Sequence, residues 1–359
     1  MMGFLCNDLS LHTSARFVRT VVVEEILLRT PPDDPARLLC AALVCNPWCR
    51  LVSARPFRRR FRDRAGPAPM LGFLCNDVPR LVGTRAEALS TRFVRTAPSC
   101  PPLAARRGWH ALDARAGRVL LQRAAEAPAT VRLAVWDPYS APAGAGHHLD
   151  LPGPVLPRPP RSWNAALLCS ATTTTTTTTG PSASSSWARM PRGSGDHVDA
   201  ARGALAGNAL HFVLQRRFRV LRYDLGTRHM SVLHLPPASH NQRIVLTTTE
   251  DGGRLGFARM EEGYRLCLWD MVGTTTGWTK GRVIELKALL PVIDLLGFAH
   301  GLGVILVGTV DGFFSVDQQT GRINKVGDGP GFYNLVPYVS FCTPALERAS
   351  KNEEPTTNA

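Results

Sequence analysis

Three groups of residues in this 359-residue chain are of the types that do chemistry. Gly193-Ser194-Gly195-Asp196-His197 places a serine, an aspartate and a histidine within five residues, the set that serves nucleophilic hydrolysis. Hydrolytic triads are assembled from separate segments, so that the base faces the nucleophile across the fold. Three such residues side by side among Pro, Gly and Ser read as a turn. His147-His148 is a doublet with no set of metal-ligand partners around it, and it reads as an exposed loop. The nine cysteines are Cys6, Cys40, Cys45, Cys49, Cys75, Cys100, Cys169, Cys267 and Cys342, with no C-x-x-C pair and no histidine close to Cys40, Cys45 or Cys49. They read as buried free thiols of a reducing compartment rather than zinc ligands.

No Gly-rich phosphate loop ending in Gly-Lys-Ser/Thr occurs, nor a His-Glu-x-x-His helix or a Gly-x-Ser-x-Gly elbow. Gly301-Leu302-Gly303 precedes a strand pattern and so does not begin a dinucleotide site. The expectation is a protein without catalytic, cofactor-binding or metal-ligating residues, acting through its surfaces.

Those surfaces must be built by the elements, and the densest element signals lie between Val21 and Arg62. Val22, Val23, Ile26 and Leu27 recur at helical spacing until Pro31 and Pro32, which cannot donate to a helix ladder. Asp34 then offers an N-cap before Pro35, with Leu38, Leu39, Ala42 and Leu43 along one side. Asn46-Pro47 repeats the signal for a third helix carrying Trp48, Leu51 and Val52, which Pro56 stops. Three short helices in so few residues have too little interior to bury all these apolar side chains, so some of them face a partner. The basic run Phe57-Arg58-Arg59-Arg60-Phe61-Arg62-Asp63-Arg64 reads as a helix tail, with both phenylalanines inward at i, i+4 and arginines solvated outside.

Beyond about residue 105 the pattern turns to strands and turns. Ile244–Thr248, Leu255–Arg259, Tyr264–Trp269 and Trp278–Leu286 read as one four-stranded meander. Leu295–Ala299, Gly303–Gly308, Phe313–Val316 and Arg322–Val326 read as the next. An apolar residue followed by Asp marks each unit at Trp136-Asp137, Tyr223-Asp224, Trp269-Asp270 and Val316-Asp317, with the aspartates 87, 46 and 47 residues apart. A four-stranded repeat of that length is the period of a β-propeller blade, and residues 90–345 accommodate about six blades. Tyr338–Cys342 and Arg92–Val94 are the candidates for closing the ring. The threonine run Thr172–Thr179 reads as an expanded loop.

The net charge of +14 rests almost wholly on arginine, the only lysines being Lys280, Lys287, Lys325 and Lys351. With 44% hydrophobic and 19% charged residues, the chain is core-forming rather than disordered. No basic segment followed by a long apolar run opens it, so a cytoplasmic or nuclear protein is expected. Ala288–Val310 is the most apolar stretch, but Pro291, Asp294, His300 and several glycines split it into strand-sized runs, and no membrane partner is expected. Gly3–Asp8 recurs as Gly72–Asp77 and Arg16–Thr20 as Arg92–Thr96, so residues 1–20 are a partial duplicate of 70–96, expected to be loosely ordered. The remaining expected divisions are a helical module at 21–64, a linker with a lead-in strand at 65–104, the propeller at 105–345 and a disordered tail at 346–359.

The order Ile26-Leu27, Pro31-Pro32, Leu38, Leu43-Val44-Cys45, Trp48, Leu51-Val52, Pro56-Phe57 and Phe61, around a Val44-Cys45-Asn46-Pro47-Trp48 core, resembles the F-box. F-boxes open with Leu-Pro and an acidic residue, where this chain has Arg19-Thr20-Val21-Val22 before Glu24. Trp136-Asp137-Pro138 with Leu149-Asp150-Leu151-Pro152, and Tyr223-Asp224 with Leu233-His234-Leu235-Pro236, look like the F-box-associated, kelch-like propeller domain common in plants. The resemblance implies a substrate receptor of a Skp-cullin-F-box ubiquitin ligase, without bond chemistry of its own. Its F-box would bind a Skp-type adaptor, and through it a cullin, while the propeller binds a protein target. Ile26, Leu27, Leu38, Val44, Cys45, Trp48 and Leu51 are the expected adaptor contacts. The alternatives are a propeller interaction protein with a degenerate F-box and a basic nucleic-acid-associated protein using Arg58 to Arg64.

Overall fold

A computed structural model describes residues 21–76, 81–82, 85–86, 90–96, 106–123, 131–136, 138, 147–151, 164–168, 184–187, 198–199, 201–214, 219–237, 244–249, 252–273, 277–289, 291–328 and 334–341. The duplicate at 1–20, the Ser-Asp-His triplet, the threonine run, the tail, Cys6, Cys100, Cys169 and Cys342 lie outside them. The chain divides into two units. Unit one comprises Met1–Pro69, Ala97–Pro101 and Phe341–Ala359; unit two comprises Met70–Thr96 and Pro102–Ser340.

The described part of unit one is helical. Helix α1 covers residues 21–28, followed by α2 (Pro35–Val44), α3 (Asn46–Ser53) and α4 (Arg55–Ala65). Four helices stand where three were expected, because Pro56 does not only stop α3. It sits in the first turn of α4, where the absent N–H costs nothing. Two expected caps are also corrected. The Asp34 carboxylate makes no cap bond and instead accepts from Arg37 Nε at 2.9 Å, and Asn46 is the first residue of α3, with Cys45 at the cap position. The core of this unit is Leu27, Leu28, Leu38, Ala41, Val52, Phe57 and Phe61. As the i, i+4 spacing implies, the Phe57 and Phe61 rings face inward and stack 6.1 Å apart.

Unit two is a β-propeller. Its first sheet contains β1 (Met70–Asn76), β4 (Ser90–Arg95) and β5 (Arg106–Arg107), and a separate short hairpin, β2 (Leu81–Val82) with β3 (Arg85–Ala86), interrupts β1 and β4. Four-stranded antiparallel meanders follow. They are β6 (Trp109–Arg115), β7 (Arg118–Arg123), β8 (Val131–Trp136) and β9 (His147–Leu151), then, after the pair β10 (Ala165–Leu168) and β11 (Ser184–Trp187), β12 (Ala204–Ala206), β13 (Ala209–Val213), β14 (Arg219–Asp224) and β15 (Met230–His234). Next come β16 (Ile244–Thr248), β17 (Leu255–Glu261), β18 (Arg265–Val272) and β19 (Gly277–Glu285), then β20 (Val292–Ala299), β21 (Val304–Thr309), β22 (Gly312–Asp317) and β23 (Ile323–Gly327). The last strand, β24 (Asn334–Val339), returns to pair with β1, so the first sheet reads β24-β1-β4-β5 and joins the two ends of the unit.

The described residues thus give five four-stranded blades where about six were expected. The difference falls at β10–β11, a two-stranded sheet between the second and third full blades. Residues 65–104, expected as a linker with one lead-in strand, supply β1 and β4 of the closing blade. The expected closure through Arg92–Val94 and Tyr338 is found there: Phe93 and Tyr338 meet edge to face at 5.9 Å. His147-His148, expected in a loop, opens β9.

Each hydrophobic cluster draws on two neighbouring sheets, because alternate residues of a strand face opposite sides. Phe257 packs with β12–β16 residues while Ala258 packs with β20–β22, and Leu295 and Leu296 divide in the same way. Two of the Asp landmarks have a physical role. Asp224 Oδ1 accepts from Gly226 N and Thr227 N at 3.0 and 2.9 Å, and Asp317 Oδ1 accepts from Gln319 N and Thr320 N at 2.9 and 2.7 Å. Each carboxylate folds the turn that ends the third strand of its blade.

The β6–β7 turn places Ala116 at φ 48 and Gly117 at φ 77, the primed two-residue hairpin geometry. The left-handed conformation at Ala116 is one that glycine adopts freely for want of a Cβ and that asparagine adopts more readily than alanine through local side-chain hydrogen bonding. Ala116→Asn is expected to raise stability by about 0.5–1 kcal/mol in a denaturant titration.

Candidate docking surface and the buried charge cluster

Two places in the molecule hold side chains that ordinary packing does not use up. The first is the outer surface of the helical unit. Of nine large apolar residues exposed among the described residues, five are Val21, Val22, Ile26, Leu43 and Val44. In α1, Val23 and Leu27 point into the core at i, i+4, so Val22 and Ile26, also four apart, emerge elsewhere on the helix. Leu43 (85% exposed), Val44 (65%) and Cys45 stand at the end of α2 and the turn into α3.

This separates the expected adaptor residues. Ile26, Val44 and Cys45 are exposed. Trp48 and Leu51 are half-buried against the core, alongside Val23 and Phe341. Leu27 (8%) and Leu38 (1%), also expected as adaptor contacts, are core residues of the free unit. Val21, Val22 and Leu43 belong to the exposed set and were absent from the expected contacts; an apolar residue on the outward side of an otherwise amphipathic helix was the signal. Cys40 and Cys45 are likewise exposed rather than buried, while Cys75 and Cys267 are buried as expected.

The basic face of α4 is largely engaged. Arg60 Nη1 donates to Glu24 Oε1 at 2.6 Å and Arg64 Nη1 to Glu25 Oε1 at 2.7 Å, pinning α4 to the acidic stripe of α1. Arg59 lies 3.8 Å from Asp63.

The second place is inside the propeller. A bulge between Ala111 and Asp113 in β6 turns the Asp113 carboxylate inward, where it is wholly buried. Four donors saturate it. Ala114 N and Arg202 Nε reach Oδ1 at 2.9 and 2.5 Å, and Arg115 Nε and Leu167 N reach Oδ2 at 2.7 and 2.9 Å. Arg115 also donates to Gly203 O at 2.8 Å, and Arg202 to Ala114 O and to Phe298 O. Burial alone would raise the carboxyl pKa, but the Arg115 and Arg202 guanidiniums override it and hold Asp113 well below the usual carboxylate range. His300 lies beside the cluster with Nδ1 3.1 Å from Thr248 Oγ1. Burial, then the charges of Arg202 and Arg115, keep its ring neutral far below the ordinary histidine pKa.

These bonds reach from β6 to β10, to the segment leading into β12, and to β20. The adjoining cavity, lined by Arg202, Ile244, Leu295, Phe298 and His300, has a volume of about 20 Å³. That is room for about one water and far less than a substrate pocket needs. Among the described residues no group of three His, Cys, Asp or Glu side chains could hold a metal, and no helix is long and apolar enough to cross a membrane. The arrangement is a clamp between blades.

No protein-family description and no curated protein matches the chain. Solved structures resemble it at low identity. The periplasmic gluconolactonase PpgL of Pseudomonas aeruginosa shares 14% identity over 73% of this chain and 84% of its own, with a TM-score of 0.41. The β-propeller domain of Myceliophteria thermophila Cps50 (Swd1) shares 12% over 74% and 89%, with a TM-score of 0.39, and the WD40 domain of SCAP from fission yeast 10% over 62% and 56%, with a TM-score of 0.36. The propeller assignment rests on the sheet topology of this chain itself.

Proposed function

We propose that this chain is a non-catalytic substrate-recognition subunit of a Skp-cullin-F-box ubiquitin ligase of the plant type, working in the cytoplasm or nucleus. The helical unit docks on a Skp-type adaptor, and through it a cullin, while the propeller holds a protein target. The observation that carries this reading is the exposure of Ile26, Leu43 and Val44 on a unit whose own core is already closed by Leu27, Leu28, Leu38, Val52, Phe57 and Phe61. Apolar anchors left outside a completed core dominate binding energy when a partner covers them. Tethering a target beside the transferring enzyme raises its effective concentration, which needs no chemistry from the receptor. The nucleic-acid alternative is disfavoured by the ion pairs that engage Arg60 and Arg64 with Glu24 and Glu25.

The test is capture of the full chain by purified Skp-type adaptor, comparing Ile26→Glu and Val44→Glu with Val272→Glu, an exposed apolar position on β18. Each helical-unit substitution is expected to weaken capture at least tenfold without altering circular dichroism, and Val272→Glu to bind as the parent does. Equal binding by all variants would remove the helical surface from the reading. No binding by the parent would leave a propeller interaction protein.

A further inference from the structure

Three cysteines of the helical unit lie close together in the chain: Cys40 in α2, Cys45 at the corner between α2 and α3, and Cys49 in the first turn of α3. The last two are tied through the backbone. Cys49 N donates to Cys45 O at 3.0 Å, the bond that closes one helical turn. Residues in that relation stand one above the other, about 6 Å apart at Cα and about 5–6 Å at Cβ. A disulfide accepts Cα atoms up to about 6.8 Å apart but brings its Cβ atoms to about 3.5–4.5 Å. The pair therefore comes within bridging range after a local shift of about an ångström.

The corner allows that shift. Cys45 has φ −163° and ψ 158°, extended backbone outside the helix, and its thiol makes no cap bond to α3. A change in ψ at Cys45 moves its Cβ relative to α3 without disturbing the helix from Asn46 onward. Access differs between the two thiols. Cys45 is exposed and Cys49 half-buried, so an oxidant meets Cys45 first, whereas Cys75 and Cys267 are fully buried. Among the described residues no third His, Cys, Asp or Glu joins them in a metal-binding group, which leaves thiol exchange as their chemistry.

We propose that Cys45 and Cys49 are a redox pair that closes to an intrachain disulfide and, in closing, switches the docking edge of Leu43 and Val44. With oxidised glutathione as the oxidant, the Cys45 thiolate attacks one glutathione sulfur and the S–S bond between the two glutathiones breaks. The Cys49 thiolate then attacks Cys45 Sγ and expels the second glutathione. The protein loses two electrons and two protons, and both glutathiones leave as thiols. The Cβ shift stores strain in the bridge, and strained, exposed disulfides have the more oxidising potentials that make them labile and reversible. Closure draws Cys45 onto α3 and takes its neighbour Val44 with it.

The test uses the full chain equilibrated in glutathione buffers from fully reduced to fully oxidised, with free thiols trapped by N-ethylmaleimide and located by mass spectrometry. Toward the oxidised end, Cys45 and Cys49 are expected to lose the label together, leaving their segment about two mass units lighter than the unlabelled dithiol, and dithiothreitol should restore both labels. Cys45→Ser and Cys49→Ser should each abolish the bond, and Cys40→Ser should leave it. A glutathione adduct on Cys45 that never resolves, or a bond that needs Cys40, would overturn the pair. The effect on docking rests on the adaptor reading above. The oxidised parent should be captured by Skp-type adaptor at least fivefold more weakly than the reduced parent, and Cys45→Ser/Cys49→Ser should be captured alike in both states. Equal capture of both states of the parent would overturn the switch. No capture in either state counts against the adaptor reading alone, and the trapped thiols then decide for or against the pair.

Discussion

Asp113→Asn is expected to lower the melting temperature by roughly 10 °C, corresponding to about 3–5 kcal/mol of lost stability. The substitution keeps the shape and removes the charge, so the effect isolates what the carboxylate does. All four of its partners, Ala114 N, Arg115 Nε, Leu167 N and Arg202 Nε, are donors. An amide offers them one oxygen and turns its own donor toward two others, while the buried Arg202 loses the carboxylate charge it faces. The loss should be shared by the blades the cluster joins, so unfolding should stay a single transition at lower urea rather than split into two. Arg202→Gln in the Asp113→Asn background should cost less than in the parent, with a coupling of about 0.5–3 kcal/mol. A loss below about 1 kcal/mol for Asp113→Asn would show that water reaches the guanidiniums and that the clamp is dispensable.

This cluster was not legible in the sequence, and the reason is physical. Asp113 lies in an unremarkable Leu-Asp-Ala-Arg run, and the partner that defines it, Arg202, is 89 residues away in the chain. Only the bulge in β6 aims the carboxylate inward. What was legible is local. Ile244–Thr248 and the seven strands after it were readable because Gly- and Asp-containing turns bracket each apolar run. The Asp224 and Asp317 landmarks worked because each carboxylate builds its own turn from the next three residues. The apolar stretch Ala288–Val310 became β20 and β21, strands buried on both faces by a neighbouring blade, so their sequence shows no alternation.

The limits of the helical reading have the same origin. Helical spacing identified which residues of 21–62 are apolar, but it could not say which of two apolar sides is covered. Leu27 and Ile26 are neighbours in sequence and similar in chemistry, yet the core of the helical unit buries the first and leaves the second exposed. A helix with one apolar stripe can be oriented from its pattern; α1 has apolar residues on both sides, and the tertiary contact decides.

Acid will destabilise the propeller from about pH 6.5 downward, and the buried His211 contributes to that loss. His211 sits mid-strand in β13, 2% exposed, between Ala204 on β12 and Arg222 on β14. Neither ring nitrogen makes a hydrogen bond of good geometry, and the nearby backbone groups of Ala204 and Ala209 offset only part of the burial. Burial, with the Arg222 charge added, pushes its pKa down to about 4 from 6.5. Above pH 6.5 the ring is neutral in both folded and unfolded chains, and its full stability stands. As pH falls from there through about 4 the unfolded chain takes up a proton that the folded chain refuses, so stability is lost, by roughly 3 kcal/mol at the lower end. His300, held neutral by burial and then by the charges of Arg202 and Arg115, adds a loss of the same sign as pH falls below 6.5. Asp113 acts only below its ordinary carboxylate range, and so does Glu261, where burial opposes ionisation but bonds from Lys280 and Arg259 hold the pKa at about 2. Urea midpoints measured at pH 7.5 and 4.5 should therefore differ strongly in the parent. His211→Leu removes the buried imidazole and should reduce that difference while leaving the pH 7.5 midpoint close to the parent's. A variant that keeps the parent's full pH dependence would move the acid lability from His211 to the cluster around His300.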